Sequence, residues 1–205
     1  MAENNIELKT IKVGLLGDGH VGKSAICNAF IGLEFASEMV STIGFEKFEK
    51  KILMDDNKEI KLILIDTAGQ ERFRSAAFKT IRSVHGIALV FDVSDRNSFD
   101  NVNVWLKEIN ENMDNPCLVL LGNKIDLPEE QWKVKQNEID ELCKQKKLEY
   151  FPTSAKNNEG INEAFTHISK TIYKKVEINL YQQYIYELII NHKTFSHEFD
   201  SINES

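Results

Sequence analysis

A chain of 205 residues, 42% hydrophobic and 28% charged, falls within the size of one domain and carries enough apolar material for a sizeable core. Its net charge of −7 argues against a nucleic-acid-binding surface, and no apolar run approaches the ~18 residues of a membrane span. The start, Met-Ala-Glu-Asn-Asn, is not a secretory signal; the three cysteines (Cys27, Cys117, Cys143) form no C-x-x-C, as expected of buried reduced thiols in a cytosolic protein.

The first predicted strand, 11–17, and the first predicted helix, 23–31, flank Gly-Asp-Gly-His-Val-Gly-Lys-Ser at 17–24. This is G-x-x-x-x-G-K-S, a phosphate-binding loop in the strand–turn–helix context it needs. A glycine-permitted turn points successive backbone N–H groups at one concavity, and the helix adds its positive dipole end. Gly17, Asp18, Gly19, His20, Val21, Gly22, Lys23, Ser24 and the following Ala25 are the candidate phosphate site. Lys23 reaches the β/γ-phosphates, and the Ser24 hydroxyl is a candidate Mg²⁺ ligand. Thr42, in a polar segment before the second strand, could complete the Mg²⁺ shell when a γ-phosphate is present.

Strands are predicted over 45–54 and 60–66, with Asp55-Asp56-Asn57 breaking them into a hairpin. Asp-Thr-Ala-Gly-Gln-Glu follows at 66–71. An acid at the carboxyl end of a buried strand can hold Mg²⁺ through water, so Asp66 joins Ser24 and Thr42 as the candidate metal set. Gly69 lets its N–H approach a γ-phosphate closely, and Gln70 is long enough to orient a water for in-line attack. Gln70, Lys23 and Thr42 are the candidate catalytic residues.

A helix within 73–84 precedes a strand at 87–93, and a helix over 99–112, capped by Asn97 or Ser98, precedes a strand at 117–122. Consecutive apolar positions at 87–93 and 118–121 suit strands buried on both faces. Asn123-Lys124-Ile125-Asp126 comes next. The Asp126 carboxylate can accept from guanine N1–H and the 2-amino group, neither of which adenine offers. The stem of Lys124 can lie over a base face. After a helix at 136–145 and a strand at 150–153, the tight loop of Ser154, Ala155 and Lys156 can present a backbone N–H to the guanine O6. The last helix, 161–176, carries an Ile161, Phe165, Ile168, Ile172, Val176 stripe.

The β-α alternation predicts an α/β fold, a six-stranded mostly parallel sheet flanked by about five helices. Four motifs, each after a predicted strand, suit one nucleotide pocket at the carboxyl edge of that sheet. Over about 8–176 the chain resembles a Ras-superfamily small GTPase of the P-loop G-domain type, most closely a Rab. Ser41-Thr42-Ile43-Gly44, the run from Asp66 to Phe73, His85-Gly86-Ile87 ahead of Phe91-Asp92-Val93, Ser98-Phe99 and Trp105-Leu106-Lys107-Glu108-Ile109 carry that resemblance. It implies GTP/GDP binding with Mg²⁺, slow GTP hydrolysis without an internal arginine finger, and Phe35 packed edge-on to the guanine. It also implies switch segments at 39–44 and 69–83, and a molecular-switch role in vesicle trafficking with exchange factors, activating proteins and effectors as partners. Localisation would be cytoplasmic or peripheral on endomembranes, with no nucleic acid bound.

The sequence departs from the family at several places. His20 stands where Ras and Rab proteins have glycine, at a position expected to need positive φ. The positions of the Rab aromatic triad hold Lys47, Ile65 and Thr80. No cysteine follows Cys143, so no prenyl anchor is expected of the sequence as written. Residues 177–205 form a separate extension, and Leu180, Tyr184 and Leu188 with Ile185 and Ile189 predict a helix there that docks on its own domain or on a partner. The alternative to a cycling switch is a nucleotide-bound interaction module that hardly turns over.

Overall fold

The strands are β1 (Thr10–Leu16), β2 (Phe45–Leu53), β3 (Glu59–Thr67), β4 (Gly86–Asp92), β5 (Cys117–Asn123) and β6 (Glu149–Thr153). In the computed structural model, which describes residues 8–36, 42–69 and 74–203, they form one sheet of order β2-β3-β1-β4-β5-β6. Only the β2–β3 hairpin is antiparallel; β1 pairs in parallel with β3 on one side and β4 on the other. The carboxyl ends of β1, β3, β4, β5 and β6 therefore share one edge. Strand order reverses about β1, which opens a crevice there for a ligand.

Six α-helices occur among the described residues: α1 (Lys23–Ile31), α2 (Arg74–Ile81), α3 (Arg96–Asp100), α4 (Val102–Asn112), α5 (Gln136–Lys146) and α6 (Ile161–Asn203). Two outcomes differ from the sequence expectation. The expected helix at 99–112 is two helices meeting at Asn101, and the N-cap is Asp95, whose side chain accepts from the Asn97 N–H at 3.0 Å. Ser98 instead turns inward, accepting from the Asp92 N–H at 3.0 Å. The last helix does not end at 176 but runs to Asn203.

The chain divides into two compact units, one of Lys9–Ile172, the other of Met1–Leu8 with Tyr173–Ser205. The first holds the sheet. Every residue of β4 is buried, as its unbroken apolar run requires of a strand covered on both faces. On β2, the edge strand, only Phe48 is fully buried, and the exposed face carries Lys51–Glu59 and Lys61–Glu49 pairs to β3 at 2.6 and 3.0 Å. Such exposed pairs add little stability, but charge on an edge strand discourages further pairing. Phe30 of α1 meets Phe165 of α6 edge-on at 4.9 Å, fixing the stripe of Ile161, Phe165, Ile168 and Ile172 in the core. Of the cysteines, Cys27 is buried but Cys117 and Cys143 are only half-buried, and all three are free thiols.

Candidate functional site

The loop after β1 is shaped by backbone that side chains disfavour. Gly17 has φ 137°, and a Cβ there would collide with the Val90 carbonyl. His20 adopts φ 64°, the positive value its place demands, and it stays exposed at the cavity rim. Gly22 caps α1 at φ 98° with no side-chain capping bond, leaving first-turn N–H groups to an anion.

Lys23 is buried, and its ammonium donates to the Gly17 and Asp18 carbonyls at 2.9 and 2.7 Å. Burial pushes its pKa down to about 8, against the attraction of Asp66 and Asp18. A cation held dry with so little counter-charge is prepared for phosphate.

Ser24, Thr42 and Asp66, from α1, the segment before β2 and the end of β3, converge. Ser24 Oγ donates to Asp66 Oδ2 at 2.5 Å, Thr42 Oγ1 donates to the same oxygen at 3.0 Å, and the two hydroxyls are 2.8 Å apart. Asp66 is fully buried, and its Oδ1 has no hydrogen-bond partner among the described residues. Burial raises its pKa, while the Ser24 bond, the Lys23 charge and the Thr42 bond oppose the rise. Two hydroxyls and a carboxylate with an unsatisfied buried oxygen are the hard donor set that Mg²⁺ takes, so the residues fit that ion. No cluster of three or more His, Cys, Asp or Glu suited to a metal exists elsewhere among the described residues.

At the other end, Asn123 is a brace. Its Nδ2 donates to the Val21 carbonyl at 2.9 Å, and its Oδ1 accepts from the Ala155 N–H at 3.2 Å, tying the loops after β1 and β6 together. Asp126 accepts from Ser154 Oγ at 2.6 Å, which fixes one carboxylate oxygen, and Lys156 lies 3.8 Å away. Lys124, at φ 69°, pairs with the nearly buried Asp92 at 2.5 Å, so its stem is held along the cavity wall.

These groups surround one cavity of about 610 Å³, large enough for a nucleotide. Of the predicted residues, Gly19, His20, Gly22, Lys23, Ser24, Ala25, Phe35, Thr42, Gly69, Asn123, Lys124, Asp126, Ala155 and Lys156 line it. Gly17, Asp18, Val21, Asp66 and Ser154 stand behind the lining and hold it. Gly69 packs so closely that a Cβ would collide with the Lys23 ammonium and the Asp18 carbonyl. Phe35 remains 47% exposed and adds an apolar face to the cavity lining. Gln70 lies outside the described residues, as do 39–41 and 71–73 of the expected switches.

Sequence reasoning missed several supports. The Asp18 carboxylate points away from the cavity to Asn101 Nδ2 at 2.6 Å and Trp105 Nε1 at 2.8 Å. Thr67 Oγ1 donates to the Leu15 carbonyl at 2.8 Å, clasping β3 to β1 beside the loop. Ala36 and Leu127 add apolar wall. Asp18 and Thr67 lie inside the runs 17–24 and 66–71, but no motif assigns them these bonds, and no motif covers Asn101, Ala36 or Leu127. The face expected to meet effectors is mixed: Lys47 is exposed beside Phe45, Ile65 is buried, and the Thr80 hydroxyl is bonded to the Ala76 carbonyl at 3.0 Å.

A sequence profile described as "Ras: Ras family" matches residues 12–174. The chain is 38% identical over 170 residues to Ras-related protein SEC4 of Saccharomyces cerevisiae, covering 82% of this chain and 78% of that one. It is 38% identical over 165 residues to Ras-related protein Rab-13 of Rattus norvegicus, covering 80% of each. Against Ras-related protein Rab-26 of Homo sapiens it is 40% identical over 166 residues, covering 80% of this chain and 64% of that relative.

Proposed function

The chain belongs to the Ras family as a Rab-like small GTPase, a hydrolase acting on GTP, and from that premise we propose how this site works and what it serves. Guanine nucleotide occupies the cavity with its base between Phe35 and the Lys124 stem. Asp126 accepts from the base N1–H and 2-amino group. The Ala155 N–H is already engaged by Asn123, so Lys156 backbone is the better placed donor for O6. Phosphates lie on the loop of residues 17–24, with Lys23 against the β/γ oxygens.

Mg²⁺ would be held by Ser24, Thr42 and, through water, Asp66, and when bound it offsets charge that develops on the phosphates. The protein's own residues do the rest by placement. Lys23 brings a dry positive charge, the Gly69 N–H meets the γ-phosphate, and Gln70 orients the attacking water. Loss of the γ-phosphate releases Thr42 and Gly69, so the segments around them change state and partners that read them let go. The protein thereby acts as a switch in vesicle trafficking, peripheral on endomembranes, under exchange factors, activating proteins and effectors. No described helix is long and apolar enough to cross a membrane.

The convergence of Ser24, Thr42 and Asp66, with an unsatisfied Asp66 oxygen, is the observation that most supports this reading. Single-turnover hydrolysis of preloaded GTP, with ATP as competitor, tests it. Slow, guanine-specific turnover is expected, nearly abolished in Gln70→Leu with binding retained. Equal rates in wild type and Gln70→Leu would remove Gln70 from the mechanism, and tight binding with no turnover in either would mean a static module.

A further inference from the structure

Beyond residue 177, α6 continues to Asn203 as one uninterrupted helix. Its apolar residues there follow a seven-residue repeat. Ile178, Ile185, His192 and Phe199 stand seven apart, and Tyr181, Leu188, Phe195 and Ile202 alternate with them at 3–4 spacing. This is the a/d pattern of a left-handed coiled coil, broken only at His192. A helix lying on a flat protein or lipid surface drifts ~20° per heptad from such a repeat; a supercoiled partner helix does not. Ile178, Tyr181 and Ile185, which open the seam, are 57%, 66% and 36% exposed.

We propose that residues 178–202 pair in parallel with the same segment of a second copy of this chain. A second copy supplies the same repeat, so each a position meets its counterpart and each d position likewise. Isoleucine at the first two a positions with Leu188 at d suits a parallel two-stranded coil, and one polar a position, His192, fixes the register. The flanking positions do not oppose the pairing. In register, each g position faces the e position five residues on in the second copy: Glu177 with Gln182, Tyr184 with Ile189, Asn191 with Ser196, Glu198 with Asn203. No like charges meet, and the Tyr184–Ile189 pair widens the apolar seam. Leu180, Tyr186 and Ile190 fall outside the seam; the other outward positions, among them Asn179, Gln183, Glu187, Lys193 and Asp200, hold too few cations for an anionic lipid surface. The dimer carries two nucleotide sites, and the proposal does not rest on how either one works.

Sedimentation velocity on the full GDP-loaded chain tests it. The expected mass is twice the 23.5 kDa of one chain, falling to the single mass in Ile185→Lys and staying double in Gln183→Lys, an outward position. GDP binding by Ile185→Lys reports that the G domain is intact. Under mild oxidation, Ile185→Cys should form a covalent dimer and Gln183→Cys should not, which decides the matter even if Ile185→Lys fails to fold. A wild-type monomer at every concentration, a dimer undiminished in Ile185→Lys, or a monomer that floats with anionic vesicles would each overturn the proposal.

Discussion

Trp105→Phe is the sharpest probe of how the phosphate loop is held. Trp105 is 1% exposed in the main core, and its indole N–H donates to the Asp18 carboxylate at 2.8 Å, beside Asn101 at 2.6 Å. The same residue's carbonyl receives the Lys23 ammonium at 2.7 Å. Phenylalanine keeps the ring packing and deletes the donor. A hydrogen bond to a charged group is worth about 1.5–3 kcal/mol, and the lost indole volume costs ~1 kcal/mol as residual cavity. The expected loss is therefore about 3 kcal/mol, a fall of roughly 6–12 °C in Tm for a chain of this size. If about 1.4 kcal/mol of that is felt by the loaded loop, GDP leaves ~10-fold faster. The assay pairs thermal unfolding in saturating GDP with release of a fluorescent GDP analogue, in Trp105→Phe, Asp18→Ala and the double variant. A coupling of roughly 1.5 kcal/mol or more between the two is expected. Additivity within about 0.5 kcal/mol, or unchanged GDP release, would refute the role of this clamp.

Burial lowers Lys23 from its ordinary 10.5 to about 8. A folded value below the unfolded one means the charged form strains the nucleotide-free protein by about 3 kcal/mol below pH 8, relieved as pH rises toward 10.5. Phosphate prefers the charged form, so affinity should be flat below pH 7.5 and about fourfold weaker at pH 8.5 than at pH 7; calorimetric titration with GDP would contradict this if the affinity did not change. Asp126→Asn removes the carboxylate that Ser154 orients, and GTP affinity should drop by roughly 10²-fold or more, read by competition between GTP and xanthosine triphosphate. Gly69→Ala drives a methyl into the Lys23 ammonium and the Asp18 carbonyl, so single-turnover hydrolysis should fall at least ~10-fold; wild-type turnover would show that the loop yields freely. Chelating Mg²⁺ should speed GDP release, and Asp66→Ala should abolish that dependence on the ion.

Much of the site was legible in the sequence because its chemistry is local. The loop of residues 17–24 holds its glycines and Lys23 in one short stretch, and Asn123 and Asp126 follow one strand, so both line the same cavity. Apolar runs such as 87–93 place strands within a residue or two, since continuous burial leaves a continuous signal. The helix before Asn101 is capped by Asp95 and not by Asn97 or Ser98; all three are competent caps, and which one serves depends on where β4 ends.

What the sequence by itself determined, then, was the six strands and most of the pocket's lining, down to the positive φ that His20 must accept. Tertiary structure alone decided which distant groups meet. The strand order brings Asp66 to Ser24 and Thr42, 42 and 24 residues away. It sets Asn123 against Val21 across 102 residues, and turns Asp18 toward Trp105 across 87. Such contacts carry no local signature, because hydrogen bonds between strand ends depend on how the sheet is ordered and twisted, not on the spacing of residues along the chain.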